Sequence, residues 1–390
     1  MQKVVAIITE YNPFHNGHKY QIDKIREENN EAIIIAIMSG NVVQRGELAI
    51  ADKYSRAEMA IKCGVDAVFE LPYPYSGSCA EIFAYGGVSL AYSLGAEILY
   101  FGTETDNIEN LERIADVVDS EIFDTIIKNI PNYNEYSYPI LKQKALEKLG
   151  FDISIGSNDI LAIEYIRQIK KQKYSLEYKS IQRVGASYND EATSDLMSAT
   201  GIRKAFNENN EFISMPAGAL EIINREKKNG KLLDLNKVQN MLHNYAVMIS
   251  PKEIEKSFDC QEGMGYFISK KAKEAKNSSE FFELLTSKSF TTSRLKRTLL
   301  YSFFGVKKIS KITKGYTVLL ATNKRGKMLL KQNKINRKLT ILTKHSDSKK
   351  LTKKLLPTYI LSKKTDEIYQ MLLHIPNPAE SAYKYKPIIM

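Results

Sequence analysis

The sequence predicts an α/β fold: a doubly wound parallel sheet in the first half, followed by a basic region that is mainly helical and closes with a small α/β unit. Three observations carry this reading. Apolar runs of strand length stand at Val4–Ile8 and Ala32–Met38, where continuous apolarity marks burial on both faces, as in a parallel sheet, and further strands follow at Ala67–Leu71 and Glu97–Phe101. Helix-length segments separate the runs, giving a βα alternation whose right-handed crossovers leave a ligand crevice at the carboxyl ends of the strands. Charge is divided along the chain: residues 1–200 carry 19 Lys+Arg against 29 Asp+Glu, a net −10, while residues 201–390 carry 37 against 16, a net +21. A chain of 390 residues is long enough for two or three units, placed here at 1–205 and 206–390 with a sub-boundary near 300.

Taken in order, the first strand passes through Thr9-Glu10-Tyr11, an Asn12-Pro13 turn and Phe14-His15-Asn16 into a helix from about Gly17 to Asn29. The second strand stops at Ser39-Gly40. A loop holding Gln44-Arg45-Gly46-Glu47 then leads to a helix from Asp52 to Cys63, with Gly64 as its C′ residue. Strand Ala67–Leu71, a Pro72-Tyr73-Pro74 turn, a helix from about Ala80 to Leu94 and strand Glu97–Phe101, ending at Gly102, continue the alternation. Residues 107–150 read as helical around a loop at Pro131-Asn132-Tyr133, and Ser157-Asn158-Asp159 cap a helix reaching about Lys171. Leu176–Ile181 is a last strand, leading into Arg183-Val184-Gly185-Ala186 and a polar loop at 185–195. Ser198-Ala199-Thr200-Gly201-Ile202-Arg203 opens another helix. From 206 to about 300 the pattern is helical, including Ala217–Lys228 and Glu280–Thr286, and Thr317–Ala321 and Leu339–Leu342 read as strands of the small α/β unit.

The chemistry gathers at the first turn. A helix entered directly from a strand end presents unpaired backbone N–H groups and a positive dipole to the crevice, so anions settle there. His15 and His18, three apart, place both imidazoles on one face within reach of one polyphosphate, and Gly17 between them removes a side chain that would keep a base or ribose off the backbone. The Ser198–Arg203 segment is either a second anion site, with hydroxyls at a helix start and an arginine in its first turns, or an ordinary N-cap with a surface arginine. The basic half suits a polyanion such as nucleic acid, or is a solvated lysine-rich surface. Within it Lys288, Arg294, Lys296 and Arg297 alternate with hydroxyls and Phe290, a pattern suited to RNA phosphates, and replacing Arg294 and Arg297 is expected to flatten the salt dependence of RNA binding.

Other classes are disfavoured by what the sequence lacks. The N-terminus runs straight into a strand with no signal peptide, and no apolar run approaches membrane length, so a cytoplasmic protein away from the membrane is expected. Cys63, Cys79 and Cys260 have neither metal spacing nor an even count, so no disulfide, no zinc and no other bound metal site is expected. No carboxylate pair near the turn forms a compelling Mg²⁺ ligand set, which leaves open whether a nucleotide there brings Mg²⁺ with it, and no feature points to a protein partner.

His15-Asn16-Gly17-His18 in this setting resembles the HxGH signature of the nucleotidylyltransferase superfamily, relatives of class I aminoacyl-tRNA synthetases, and Ser198–Arg203 is similar to its second motif, Ser-Ser-Thr-x-Ile-Arg, with Ala199 in place of one hydroxyl. The likeness extends through Glu10–His18, Met38–Asn41, Gln44–Glu47, Gly64–Asp66, Glu70–Pro72, Phe101–Glu104, Ser157–Leu161 and Arg183–Ala186, where the chain resembles the bacterial tRNA(Met) cytidine acetate ligase family over nearly its whole length. The resemblance implies an enzyme that uses ATP and acetate to form acetyl-adenylate, then acetylates the exocyclic amine of the wobble cytidine of elongator tRNA(Met). His15 and His18 would be its catalytic residues. ATP would be bound by Ile7, Ile8, Thr9, Glu10, Tyr11, Asn12, Pro13, Phe14, His15, Asn16, Gly17, His18, Lys19 and Tyr20, with Gly102, Asn158, Arg183 and Val184 closing over the nucleotide. Ser198, Thr200 and Arg203 would complete the phosphate site. On the residues alone, Gly102 equally ends a strand and Asn158 equally caps a helix. Two positions depart from the family pattern, Thr103-Glu104-Thr105 and Asp159, and neither is expected to touch a residue with assigned chemistry. Two other functions fit less of the chain: a nucleotidyltransferase acting on a small phosphate-bearing substrate, and a non-enzymatic RNA-binding protein with an inert nucleotide fold.

Overall fold

A computed structural model describes residues 2–133, 136–151, 155–183, 199–207 (side chains to 203), 214–309, 315–331, 335, 339–376 and 386–390. Five strands build the parallel centre: β1 (Val4–Thr9), β2 (Ile33–Ser39), β5 (Ala67–Leu71), β6 (Ile98–Thr103) and β7 (Glu177–Gln182). Between β2 and β5 lies a short antiparallel hairpin, β3 (Val42–Val43) and β4 (Glu47–Leu48), where a plain loop was expected. The central order is β5-β2-β1-β6-β7, so the chain leaves β1 toward β2 on one side and later returns to β6 on the other. That reversal places the topological switch point at the carboxyl ends of β1 and β6, where α/β sheets open a crevice.

The crossover helices cover both faces. On one face lie α1 (Asn16–Glu28) and α2 (Lys53–Lys62). On the other lie α3 (Ala80–Ser93) and the long β6–β7 connection, which holds α4 (Ile108–Val117), α5 (Glu121–Lys128), α6 (Tyr138–Lys148) and α7 (Ser157–Gln172). Every residue of β1, β2 and β5 is buried, Glu70 of β5 included. Each wholly buried isoleucine in them contributes about 1.5–3 kcal/mol over its exposed form. The short helix α8 (Ala199–Asn207) comes next, and α9 (Ala217–Lys228) packs on α2.

A separate apolar core joins α10 (Leu235–Met248), α11 (Pro251–Glu255), α12 (Met264–Glu274), α13 (Ser278–Leu284) and α14 (Thr292–Phe304). The remaining elements, expected as a small α/β unit, join the main sheet. Strand β8 (Tyr316–Thr322) lies antiparallel against β5 and extends the main sheet, and α15 (Lys324–Lys331) packs on β2, β5 and β8. Strands β9 (Thr340–Leu342) and β10 (Ile388–Ile389) pair with opposite ends of β8 in parallel. The reason is edge closure: β5 would otherwise present a row of unpaired N–H and C=O groups. The sequence division at 205/206 is therefore not a division of the sheet.

Helix α16 (Leu356–Met371) is fastened by a buried ionic cluster. Lys53 Nζ donates to both oxygens of Glu70 at 2.9 Å and to Asp366 Oδ2 at 2.6 Å, and Asn41 Nδ2 donates to Asp366 Oδ1 at 3.0 Å. Burial pushes Asp366 up to about 6 despite Lys53. Among the described residues no helix is long and apolar enough to cross a membrane. Cys63, Cys79 and Cys260 are free thiols.

Candidate active site

The turn after β1 is shaped by backbone and buried polar groups. Tyr11 adopts a left-handed φ of 46°, uncommon for a side-chain-bearing residue, and the Asn12–Pro13 bond is cis. Asn12, 3% exposed, accepts the Ile50 N–H at 2.9 Å through Oδ1. Arg56, wholly buried, donates to the carbonyls of Glu10, Gly40 and Ala51, tying the ends of β1 and β2 to α2. Ile7, Ile8, Tyr11 and Phe14 belong to the two cores flanking the sheet, and Thr9 and Pro13 are buried, so these residues can offer a ligand little beyond backbone. Asn16 N–H is taken by Ser214 O at 3.0 Å, Lys19 pairs with Asp23, and Tyr20 is half-buried against the α1 side of the core.

The two histidines form the cap of α1. His15 stands outside the helix as its N-cap, and its Nδ1 accepts the Gly17 N–H at 3.1 Å; His18, in the first turn, accepts the His15 N–H at 3.2 Å through its own Nδ1. The rings stack with centroids 3.7 Å apart and planes 24° from parallel. With each Nδ1 accepting a backbone N–H, the neutral tautomer carries its proton on Nε2. Burial, reinforced by the Arg183 guanidinium, lowers His15 to about 3, and burial together with His15 and Arg183 holds His18 well below its ordinary value. Both imidazoles are thus neutral Nε2–H donors at pH 7. Gly17 has a different task from the one expected: a Cβ there would lie 3.0 Å from His15 Cε1 and 3.1 Å from Nδ1, so its missing side chain makes room for the folded-back His15 ring.

Basic groups surround this pair. Arg183 is exposed, its N–H is held by Thr103 O at 2.9 Å, and its aliphatic stem lies across Gly102, with Cγ 3.5 Å from the Cβ position of that glycine. Arg203 donates from Nη1 to Asn12 O at 2.8 Å and from Nη2 to Thr200 Oγ1 at 3.3 Å, which brings the start of α8 onto the histidine turn. Val184 and Ser198 lie outside the described residues. Glu10 accepts the Gln44 N–H at 2.7 Å, and burial raises its carboxyl despite Gln44, Arg203 and Arg45.

Asn158 corrects one expectation. Its N–H and its Nδ2, the latter at 2.6 Å, both donate to Glu104, which also takes the Asp159 N–H at 3.1 Å and so occupies the N-terminus of α7. Asp159 answers by accepting from Glu104 N at 2.8 Å and Gly156 N at 3.1 Å. Within the 103–105 run, Glu104 therefore does contact a residue with assigned chemistry, Asn158, while Asp159 holds the backbone of Glu104 and Gly156.

The proposed RNA contacts divide. Lys288 is exposed. Arg294 is turned onto Asp259, meeting its carboxylate at 2.7 Å, Lys296 pairs with Glu47 at 2.8 Å, and Arg297, 7% exposed, reaches Gln44 O at 3.5 Å. Arg297 is buried, while Arg294 stays partly exposed beside Asp259. Among the described residues, no group of three or more His, Cys, Asp or Glu side chains is arranged to hold a metal ion. No site role was expected of Arg56 or Lys53, whose apolar company in a short helix is the one signal of buried charge, and Glu47 was read only as part of the family resemblance.

A sheet with its switch point at β1/β6 and a histidine-capped helix at that point define a nucleotidyltransferase-type site. The family model described as HIGH Nucleotidyl Transferase matches residues 2–384. A tRNA(Met) cytidine acetate ligase of Caldicellulosiruptor bescii is 36% identical over 352 residues, covering 88% of this chain and 87% of that one. One of Clostridium perfringens is 33% identical over 412 residues, with 99% of each covered. The crystal structure of Thermotoga maritima TmcAL bound with alpha-thio ATP superposes with a TM-score of 0.91 at 30% identity, covering 100% of both chains. The chain belongs to the tRNA(Met) cytidine acetate ligase family.

Proposed function

We propose that this chain is an ATP-dependent ligase that makes acetyl-adenylate from ATP and acetate and transfers the acetyl group to N4 of the wobble cytidine of elongator tRNA(Met), giving N4-acetylcytidine, AMP and pyrophosphate. The observation that carries the reading is the pair of neutral imidazoles at the α1 N-terminus, in a chain whose relatives bear that name along nearly their full length. Acetate attacks the α-phosphorus in line. His15 and His18 donate Nε2–H bonds to phosphate oxygens, needing no prior protonation, while Arg203, Arg183 and the positive dipole end of α1 balance the charge that develops as pyrophosphate leaves. The stretch from Ile7 to Tyr20 contributes mainly backbone, with Gly102, Asn158 and Val184 at the nucleoside and Ser198 and Thr200 beside Arg203. The cytidine amine then attacks the acetyl carbon and AMP departs.

A wobble base in an anticodon loop can be splayed into the crevice, leaving the basic half to grip the RNA backbone. Exposed Lys288, Lys307 and Lys308 suit that grip, while Arg294, Lys296 and Arg297 shape α14 behind them. The reaction belongs in the cytoplasm, where ATP, acetate and tRNA meet. Incubation with ATP, labelled acetate and tRNA(Met) tests the reading: the label should enter RNA as N4-acetylcytidine. A labelled nucleotide conjugate with no labelled RNA would instead favour a small-substrate nucleotidyltransferase, and RNA binding without ATP consumption an inert fold.

A further inference from the structure

The β3–β4 hairpin lies between the histidine turn and α14, and it touches both. At its tip Gly46 has φ +76°, and a Cβ there would sit 2.6 Å from Arg297 N and 3.0 Å from Lys296 C, so the hairpin rests directly on the α14 backbone. On one arm the Gln44 N–H binds Glu10 at the end of β1 at 2.7 Å. On the other, Glu47 reaches in two directions: Oε1 meets Lys296 Nζ at 2.8 Å, and Oε2 lies 3.7 Å from Arg203 Nη2. All three side chains are at least two-thirds buried, at 33%, 25% and 22% exposure for Glu47, Lys296 and Arg203.

We propose that Glu47 is a positioning residue for Arg203, so that the hairpin links the seating of α14 in the basic region to the placement of the phosphate-binding arginine. The inference rests on Arg203 serving the phosphates. An arginine near the start of a short helix has many rotamers, and fixing one of them costs side-chain entropy. Here the Asn12 carbonyl takes one guanidinium nitrogen and the Thr200 hydroxyl and Glu47 carboxylate face the other, so the fork is held before any nucleotide arrives. Glu47 holds its own place because Lys296 grips its second oxygen and Gly46 fixes the tip. Burial opposes its charge, but Lys296, Arg203 and Arg45 outweigh that and keep the carboxylate ionised. A displacement of α14 would therefore move Glu47 and loosen Arg203.

The test is acetate-dependent ATP–pyrophosphate exchange, which needs no tRNA, on the full chain. Glu47→Gln should lower kcat about 10-fold, the order expected when a charged group is slightly misplaced, with KM for ATP changing far less. Charge reversal, Glu47→Lys with Lys296→Glu, restores the hairpin–α14 ion pair but sets a cation against Arg203. Its thermal midpoint should return toward wild type while exchange stays low. Recovery of exchange in that double variant overturns the proposal, because Glu47 would then be needed only for packing. Arg203→Ala separates the underlying reading: full exchange without Arg203 defeats both, whereas a loss with Arg203→Ala and none with Glu47→Gln defeats the positioning role alone.

Discussion

Gly17→Ala should separate the stability of the turn from its chemistry. The added Cβ would stand 3.0 Å from His15 Cε1 and 3.1 Å from Nδ1, several tenths of an ångström inside ordinary contact, so the imidazole must tilt away from the helix start. The first loss is the 3.1 Å bond from Gly17 N–H to His15 Nδ1, a capping interaction worth about 1 kcal/mol. Alanine recovers about the same amount, since glycine in a helix costs about 0.8–1 kcal/mol relative to it. The thermal midpoint should therefore move by no more than a few degrees. Catalysis has no such compensation: the ring tilt carries Nε2 away from the phosphates and also disturbs the stacked His18 ring at 3.7 Å. We expect kcat for ATP–pyrophosphate exchange to fall roughly 10- to 100-fold. A variant with wild-type kcat would refute the link between Gly17 and the histidine geometry. A rise confined to KM for ATP would mean that the methyl group obstructs the nucleotide instead.

Four further outcomes follow. His18→Ala removes a phosphate donor and the acceptor for His15 N–H, and exchange should drop by about 100-fold or more; activity above a tenth of wild type would place the phosphates elsewhere. His15 sits at about 3 when folded against an ordinary 6.5, so the unfolded chain binds a proton that the folded chain refuses. Its stability contribution is complete above about pH 6.5 and is lost as pH falls toward 3, amounting to about 1.4 kcal/mol by pH 5.5; urea titrations in which His15→Asn keeps the full wild-type slope would contradict this. Lys288→Met should reduce the log–log salt slope of tRNA binding by somewhat under one unit, while Arg297→Met should lower the unfolding midpoint and leave the slope unchanged, the reverse pattern putting Arg297 at the RNA. Lys53→Met leaves Glu70 and Asp366 buried without their cation and should cost about 3–5 kcal/mol in denaturant unfolding, a loss under 1 kcal/mol showing that water replaces the ammonium.

Strands β1 and β2 were legible because strands buried on both faces leave nearly uninterrupted apolar runs, β5 and β6 because mainly apolar segments recur between helices, and the histidine turn because its residue types are rare and close together. What the sequence withheld depends on distant partners. The hairpin strands are two residues each, too short to show a period, and are held by α14 almost 250 residues on. Arg56 and Lys53 keep apolar company, but nothing in the sequence reveals the carbonyls and carboxylates that receive them, and Arg297 reads as a surface phosphate contact although it is buried. His15 as an N-cap was missed for a related reason: the three-residue spacing suggested two helical side chains on one face, whereas one ring lies before the helix and folds back.

Strand β8 carries a consequence for how the protein is made. Its partner β5 ends at Leu71, yet β8 begins only at Tyr316, so at ribosomal rates of 5–20 residues per second the sheet's growing edge waits roughly 10–50 s for its cover. During that interval Glu70 and Lys53 also lack Asp366, which arrives later still. A nascent chain halted after the fifth parallel strand should therefore be a client for chaperones that shield open sheet edges, and the catalytic half becomes a finished object only when the basic half has been synthesised.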